Sequence, residues 1–140
     1  MRVVLDTNVL VSGIFFGGIP GRILSSWAAG ELTLVLSPAV LTEYTRVGRE
    51  LGIRYAELEV PFDSIVALIA MNALIVDAPP LSEPVSDDPA DDMFLAAALA
   101  SHASIVVSGD KDLLRVSGWQ RIVVLTPRQF HDQHLHAPGR

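Results

Sequence analysis

Five short apolar runs, each set apart from the next by a helix-length stretch, constrain this chain more than any other feature. They are Val3–Leu5, Leu32–Leu36, Leu74–Val76, Ile105–Val107 and Ile122–Leu125. Strands joined by helical crossovers pair in parallel, because parallel neighbours need a connection of about a dozen residues or more. The expected fold is therefore α/β: a three-layer α/β/α sandwich around a central parallel five-stranded sheet. Local signals punctuate the helices. Ile19–Gly30 reads as a helix closed by its glycine, and Ser37-Pro38 as an N-cap with proline at the first helical position of a helix reaching about Glu50. Tyr55–Asn72 is helical but broken at Pro61, and Asp91–His102 is an alanine-rich helix. Between them, Asp77–Pro89 holds four prolines, three aspartates and two serines and reads as a surface loop. A short helix is expected near Leu113–Val116, and Thr126-Pro127-Arg128-Gln129 has capping-box spacing for a last one.

No repeat or linker interrupts the 140 residues, so residues 1–133 are expected to form one domain, followed by a loose tail over 134–140. Half the residues are hydrophobic and 19% are charged, enough for a real core. The absence of cysteine excludes a disulfide framework, a thiolate zinc site and a cysteine nucleophile. The apolar start is broken at once by Asp6, unlike a signal peptide, and the longest apolar stretch, Ile65–Val76, has 12 residues, against about 20 for a spanning helix. A cytoplasmic protein is the expectation.

Sixteen acids against ten bases give a net charge of −6, which by itself argues against a polyanion-binding surface. Where the acids fall changes that reading. In open parallel sheets, ligands bind beyond the carboxyl ends of the strands. Asp6 closes the first strand, Glu43 lies early in the helix after the second, Asp92 in the first turn after the third strand and its loop, and Asp110 and Asp112 after the fourth. Carboxylates that converge oppose one another's ionisation, and a hard divalent cation with oxygen ligands, Mg²⁺ or Mn²⁺, relieves the repulsion. With five acids gathered there out of a net −6, the remaining surface is close to neutral, so a nucleic-acid substrate is compatible with the charge. Each acid also has a plain structural reading. Asp91 and Asp92 suit a helix N-terminus, Asp110 and Asp112 a turn, and Glu43 a solvated helix face. Asp6 is the hardest to dismiss, since a carboxylate ending an apolar strand is seldom buried without a partner.

The segments VVLDTNVL, LTEY, DDMFLAAALA and VVSGDKDLL, in this order and spacing, resemble the PIN-domain family, and the closing RIVVLTPRQF resembles the branch formed by toxins of bacterial toxin–antitoxin pairs. The resemblance covers nearly the whole chain. It implies an endoribonuclease dependent on Mg²⁺ or Mn²⁺, with Asp6, Glu43, Asp92 and Asp110 as catalytic and metal-holding acids and Asp112 as an auxiliary acid. Asn8 and Ser108 would steady the first and fourth carboxylates. It further implies RNA as substrate, a cognate antitoxin as partner, a homodimer, and in-line attack by water leaving a 5′-phosphate and a 3′-hydroxyl. Candidate dimer contacts are Phe62–Asn72 and the segment around Tyr55. Lysine is scarce (only Lys111), and Arg46 and Arg49, three and six residues beyond Glu43, read equally as phosphate contacts at the cleft rim and as a solvated helix face.

Two rivals compete with this reading. A phosphotransferase of haloacid-dehalogenase type needs a second aspartate two residues after Asp6, where this chain has Asn8. A catalytically weak RNA-binding or interaction module would keep the fold without the chemistry, and metal titration separates it from an enzyme. Gly13, Gly17, Gly18 and Gly21 lack the spacing and the following lysine of a phosphate loop and read as a mobile turn beside the site. His131, His134 and His136 belong to an exposed tail, and Trp27, Phe94 and Trp119 to the core or an interface.

Overall fold

Val3, Val4 and Leu5 are almost completely buried. Three apolar residues in succession are satisfied only in a strand covered on both faces, as the interior of a parallel sheet is. The computed structural model describes residues 1–135 and places this run at the centre of the sheet, as β1 (Arg2–Leu5). It is followed by α1 (Thr7–Phe16), α2 (Gly18–Ala28), β2 (Thr33–Leu36), α3 (Pro38–Arg54), α4 (Phe62–Asn72) and β3 (Leu74–Ile75). The second half contributes α5 (Asp92–Ser101), β4 (Ile105–Val107), α6 (Lys111–Leu114), β5 (Val123–Leu125) and α7 (Pro127–His134). Short 3₁₀ turns lie at Ala56–Leu58, Pro89–Asp91 and Trp119–Arg121.

All strand pairs are parallel and the order is β3-β2-β1-β4-β5. The expected α/β/α sandwich with five parallel strands is what forms. The chain steps outward from β1 to β3, then returns across β1 to β4, so the strand order reverses between β1 and β4. Their carboxyl ends open the crevice in which this class of sheet binds ligands. Leu5 pairs with Val107, which sets Asp6 and Ser108 side by side just beyond the strands. Helix α5 packs across β1, β2 and β4, its buried alanines allowing close approach to the sheet. On the β5 side, α7 packs against that strand and against α2, burying Phe130 and Ile23.

The glycine-rich stretch differs from expectation. Thr7–Phe16 is a helix, capped by Asp6 and burying Val9, Leu10, Val11 and Phe15. The break comes at Gly17 and Gly18, whose φ values of +74° and +64° permit a 93° bend between α1 and α2. Gly13 has a packing role. A Cβ there would lie 3.0 Å from the Pro20 backbone, so its absence lets α2 fold tightly back on α1. Among the described residues no single helix is long and apolar enough to cross a membrane, although this bent pair reaches the length and composition when taken together. Helix α7 extends through His134, one residue into the expected loose tail. The rest of that tail, residues 136–140 with His136, lies outside the described residues.

The stretch expected to break at Pro61 does so a little earlier, the 3₁₀ turn ending at Leu58; Pro61 is the N-cap of α4, whose first residue Phe62 lays its ring over Gly48 of α3. A Cβ at position 48 would overlap that ring. Overpacking costs about 1–3 kcal/mol, against about 1 kcal/mol gained from alanine's helix propensity. With three Phe62 ring carbons within 2.4 Å of that Cβ the cost lies at the upper end of its range, so Gly48→Ala is expected to lower unfolding stability by about 2 kcal/mol in a denaturant titration. A variant as stable as wild type would show that Phe62 moves aside freely.

Candidate active site

The site begins with Asp6, only 4% exposed at the end of β1. Its Oδ1 accepts from Val9 N at 2.9 Å, capping α1, and its Oδ2 accepts a short hydrogen bond from the Ser108 hydroxyl. Ser108, fully buried after β4, also accepts from Asp110 N at 2.9 Å, so a single hydroxyl ties the carboxylate of one strand to the turn of the next. Asp110 then caps α6, its Oδ1 accepting from Asp112 N at 2.9 Å. Burial raises the Asp6 pKa above its ordinary value. The bonds from Ser108 and Val9 oppose that rise, and the charge of Asp110 adds to it.

Asp6, Glu43 and Asp110 line one cavity of about 320 Å³, together with Thr7, Asn8, Arg46, Asp88, Asp91 and Phe94. Asp92 does not join them. Its Oδ1 accepts from Ser86 N at 2.8 Å and its Oδ2 from Val85 N at 3.1 Å, on the side facing the preceding loop. Asp91 occupies the place expected for Asp92. Successive residues entering a helix point about 100° apart, so one of two adjacent aspartates faces the cavity and the other turns away. Asp88 enters the site as the cap of the Pro89–Asp91 turn, its Oδ1 accepting from Ala90 N at 3.0 Å. Carboxylate oxygens of Asp88, Asp91, Asp110 and Asp112 all lie within 4.8 Å of one another.

Glu43, with its side chain 28% exposed, stands at the rim, held by Arg46 at 2.5 Å, which also reaches Glu50 at 3.0 Å. Asn8 is exposed at the same rim. Asp112 is bridged to Arg115 at 3.4 Å. Of the other aromatics, Trp27 packs against the core, and Trp119 lines a larger cavity of about 760 Å³ beneath Pro79–Val85, away from the acids. Asp88, Asp91 and Thr7 line the cavity in addition to the expected residues. In the sequence only the Asp-Pro pair at 88–89 and the Asp-Asp pair at 91–92 point to the first two.

The donor set fits a hard divalent cation. It consists of carboxylate oxygens, with no sulfur or imidazole among the lining residues. Among the described residues, two buried side-chain oxygens lack a hydrogen-bond partner, Asp91 Oδ2 and Thr7 Oγ1. Both residues line this cavity. Such atoms are rare in folded proteins and point to a ligand. Burial pushes the Asp91 carboxyl up to about 7, and the neighbouring Asp110, Asp88 and Asp6 push in the same direction.

For Asp6 and Asp91 the folded-state pKa exceeds the ordinary 3.8. Between that value and about 7, the folded metal-free chain holds protons that the unfolded chain has released, so stability falls as pH rises through this window. In thermal melts without metal, Asp91→Asn is expected to gain on wild type steadily from about pH 4 to pH 7. A difference that stays constant with pH would remove Asp91 as the source of the repulsion.

The family profile described as PIN domain matches residues 2–112. Two solved structures share the fold over 90% of this chain and 98% of theirs. One is VapBC2 from Rickettsia felis bound to a DNA fragment from their promoter, at 16% identity and a TM-score of 0.55. The other is FitAcB from Neisseria gonorrhoeae, at 21% identity and a TM-score of 0.53. No curated protein matches the sequence. With the profile spanning both ends of the acidic crevice, from Asp6 to Asp112, the chain belongs to the PIN domain family.

Proposed function

We propose that this protein is a nuclease dependent on Mg²⁺ or Mn²⁺ that hydrolyses RNA phosphodiester bonds, and that it acts in the cytoplasm as the toxin of a toxin–antitoxin pair. The observation that carries the reading is the convergence of Asp6, Asp91 and Asp110 on one cavity, where Asp91 keeps a buried oxygen without a partner. Membership in the PIN domain family supports hydrolysis, and the resemblance to its toxin branch supports the role and a cognate antitoxin.

Asp6, Asp91 and Asp110 would hold the cation, with Glu43, Asp88 and Asp112 around them. The ion would acidify a water and neutralise charge on the scissile phosphate. The chain's own residues supply the rest. Ser108 and the Val9 amide fix the direction of Asp6 and oppose the rise in its pKa that burial imposes. Arg46, among the described residues the one basic side chain lining the cavity, offers a phosphate oxygen the guanidinium fork that now spans Glu43 and Glu50. The Thr7 hydroxyl is free to donate to the same group. Water's oxygen bonds to phosphorus as the bond to O3′ breaks, and the proton lost by the water ends on that leaving oxygen.

The test is cleavage of RNA by purified protein with Mg²⁺ or Mn²⁺ and its arrest by EDTA. Asp6→Asn and Asp91→Asn are each expected to lower the rate at least about 100-fold while remaining folded. Cleavage that survives EDTA, or strict dependence on zinc, would refute the metal reading. RNA binding without cleavage would favour a catalytically weak binding module.

We also propose a homodimer, through the outward face of α4 where Leu68 and Met71 are 57% and 81% exposed, and through the Tyr55 segment beside exposed Ile53. Light scattering at micromolar concentration should return twice the chain mass, and a monomer would refute it.

A further inference from the structure

Asp91 and Asp92 are adjacent in sequence and diverge in space, and the one that turns from the cavity has the more complete set of bonds. Both oxygens of Asp92 accept backbone amides, from Ser86 at 2.8 Å and Val85 at 3.1 Å. These amides belong to the proline-rich stretch between β3 and the Pro89–Asp91 turn, which contains no helix or strand to hold it in place. Ser86 is nevertheless only 5% exposed, and its Oγ accepts from Asp88 N at 3.3 Å. Asp88 Oδ1 accepts from Ala90 N, and Asp88 O accepts from Asp91 N at 3.0 Å. Hydrogen bonds thus tie the Asp92 carboxylate, through Ser86, to the backbone amides of Asp88 and Asp91, the two residues of this segment whose carboxylates face the cavity. Arg115 also ties the segment to α6 through Asp87 and Asp112, but the Asp87 and Arg115 side chains are largely exposed and such pairs contribute little.

We infer that Asp92 is a positioning residue: its carboxylate clamps Val85 and Ser86 so that Asp88 and Asp91 face Asp110 and Asp112. The inference rests on the proposal that these acids hold a divalent cation. A carboxylate suits the task because each oxygen serves one amide. Asparagine would keep one acceptor and turn an NH₂ group toward the second amide, leaving that amide without a partner.

The experiment compares wild type with Asp92→Asn by calorimetric titration with Mn²⁺ and by amide hydrogen exchange without metal. Asp92→Asn is expected to bind the same number of ions about tenfold more weakly. Exchange at Val85, Ser86 and Asp88 is expected to speed up. RNA cleavage should recover at saturating Mn²⁺, so that the deficit lies in the Mn²⁺ required and not in kcat. Ser86→Ala should shift the affinity in the same direction by less, and it decides the question if Asp92→Asn does not fold. Unchanged Mn²⁺ affinity in the folded variant overturns the inference. So does loss of an ion from the stoichiometry with exchange at 85–88 unchanged, since Asp92 would then be a ligand itself. Wild type that binds no Mn²⁺ instead overturns the metal site, and faster exchange at Asp88 in Asp92→Asn distinguishes that failure from failure of the clamp.

Discussion

The Asp6 carboxylate is committed twice before any ligand reaches it, once to the first turn of α1 and once to Ser108 across the strand gap. A charge this deeply buried is tolerable only with such partners, and hydrogen bonds to an ionised acceptor are the strong kind. The consequences extend beyond one residue. The Val9 bond fixes where α1 starts, and the Ser108 bond joins the ends of β1 and β4 at the point where the strand order reverses. Because Ser108 Oγ also receives Asp110 N, the position of the second acid follows from that of the first. The crevice is thus pinned by a buried polar chain, and the sheet alone would leave its two rims free to adjust.

What gathers at this crevice works against stability. Asp91 is pushed toward neutrality by burial and by Asp110, Asp88 and Asp6 together. Acids at the rim and beyond it have arginine partners, with Arg46 between Glu43 and Glu50, Arg115 between Asp87 and Asp112, and Arg49 beside Asp63. Two kinds of rule-breaking, crowded like charges and unpartnered buried oxygens, therefore occur in the same small volume. Local conflict of this sort is expected where function outweighs stability. It also separates a site from a decorative acidic patch, whose members would be solvated and indifferent to one another.

The strands were legible in the sequence because a parallel interior strand shows as an unbroken β-branched run, and Asp6 and Asp110 were legible because a strand end has only one place to go. Ser37-Pro38 and the Thr126–Gln129 capping box marked α3 and α7 through bonds that now exist. The choice between Asp91 and Asp92 was not legible. It depends on how a 3₁₀ turn runs into α5, a matter of a single 100° step that apolar periodicity does not fix. Asp88 was hidden for a related reason, since a loop residue's direction is set by its hydrogen bonds and not by a repeat. Helix α1 was missed because Gly13, Gly17 and Gly18 imitate a turn, although only the last two break the helix.

The acids are consequently held with unequal firmness. Asp6 and Asp110 hang from the sheet through Ser108, and Glu43 rides on α3, whose Tyr44 hydroxyl donates to Leu5 O at 2.5 Å beneath β1. Asp88 and Asp91 depend on a segment without regular structure, stabilised by side chain-to-backbone bonds that open far more readily than a packed strand. When that segment opens, a cation held as proposed would lose Asp91 and the neighbouring Asp88 together, so its apparent affinity would be the intrinsic affinity scaled by the fraction of molecules in which the segment is closed. On the proposed reading, metal binding and ordering of the 85–91 segment would be a single equilibrium observed at two places. The acids on the sheet would set where an ion sits, and the acids on the loop how tightly it stays.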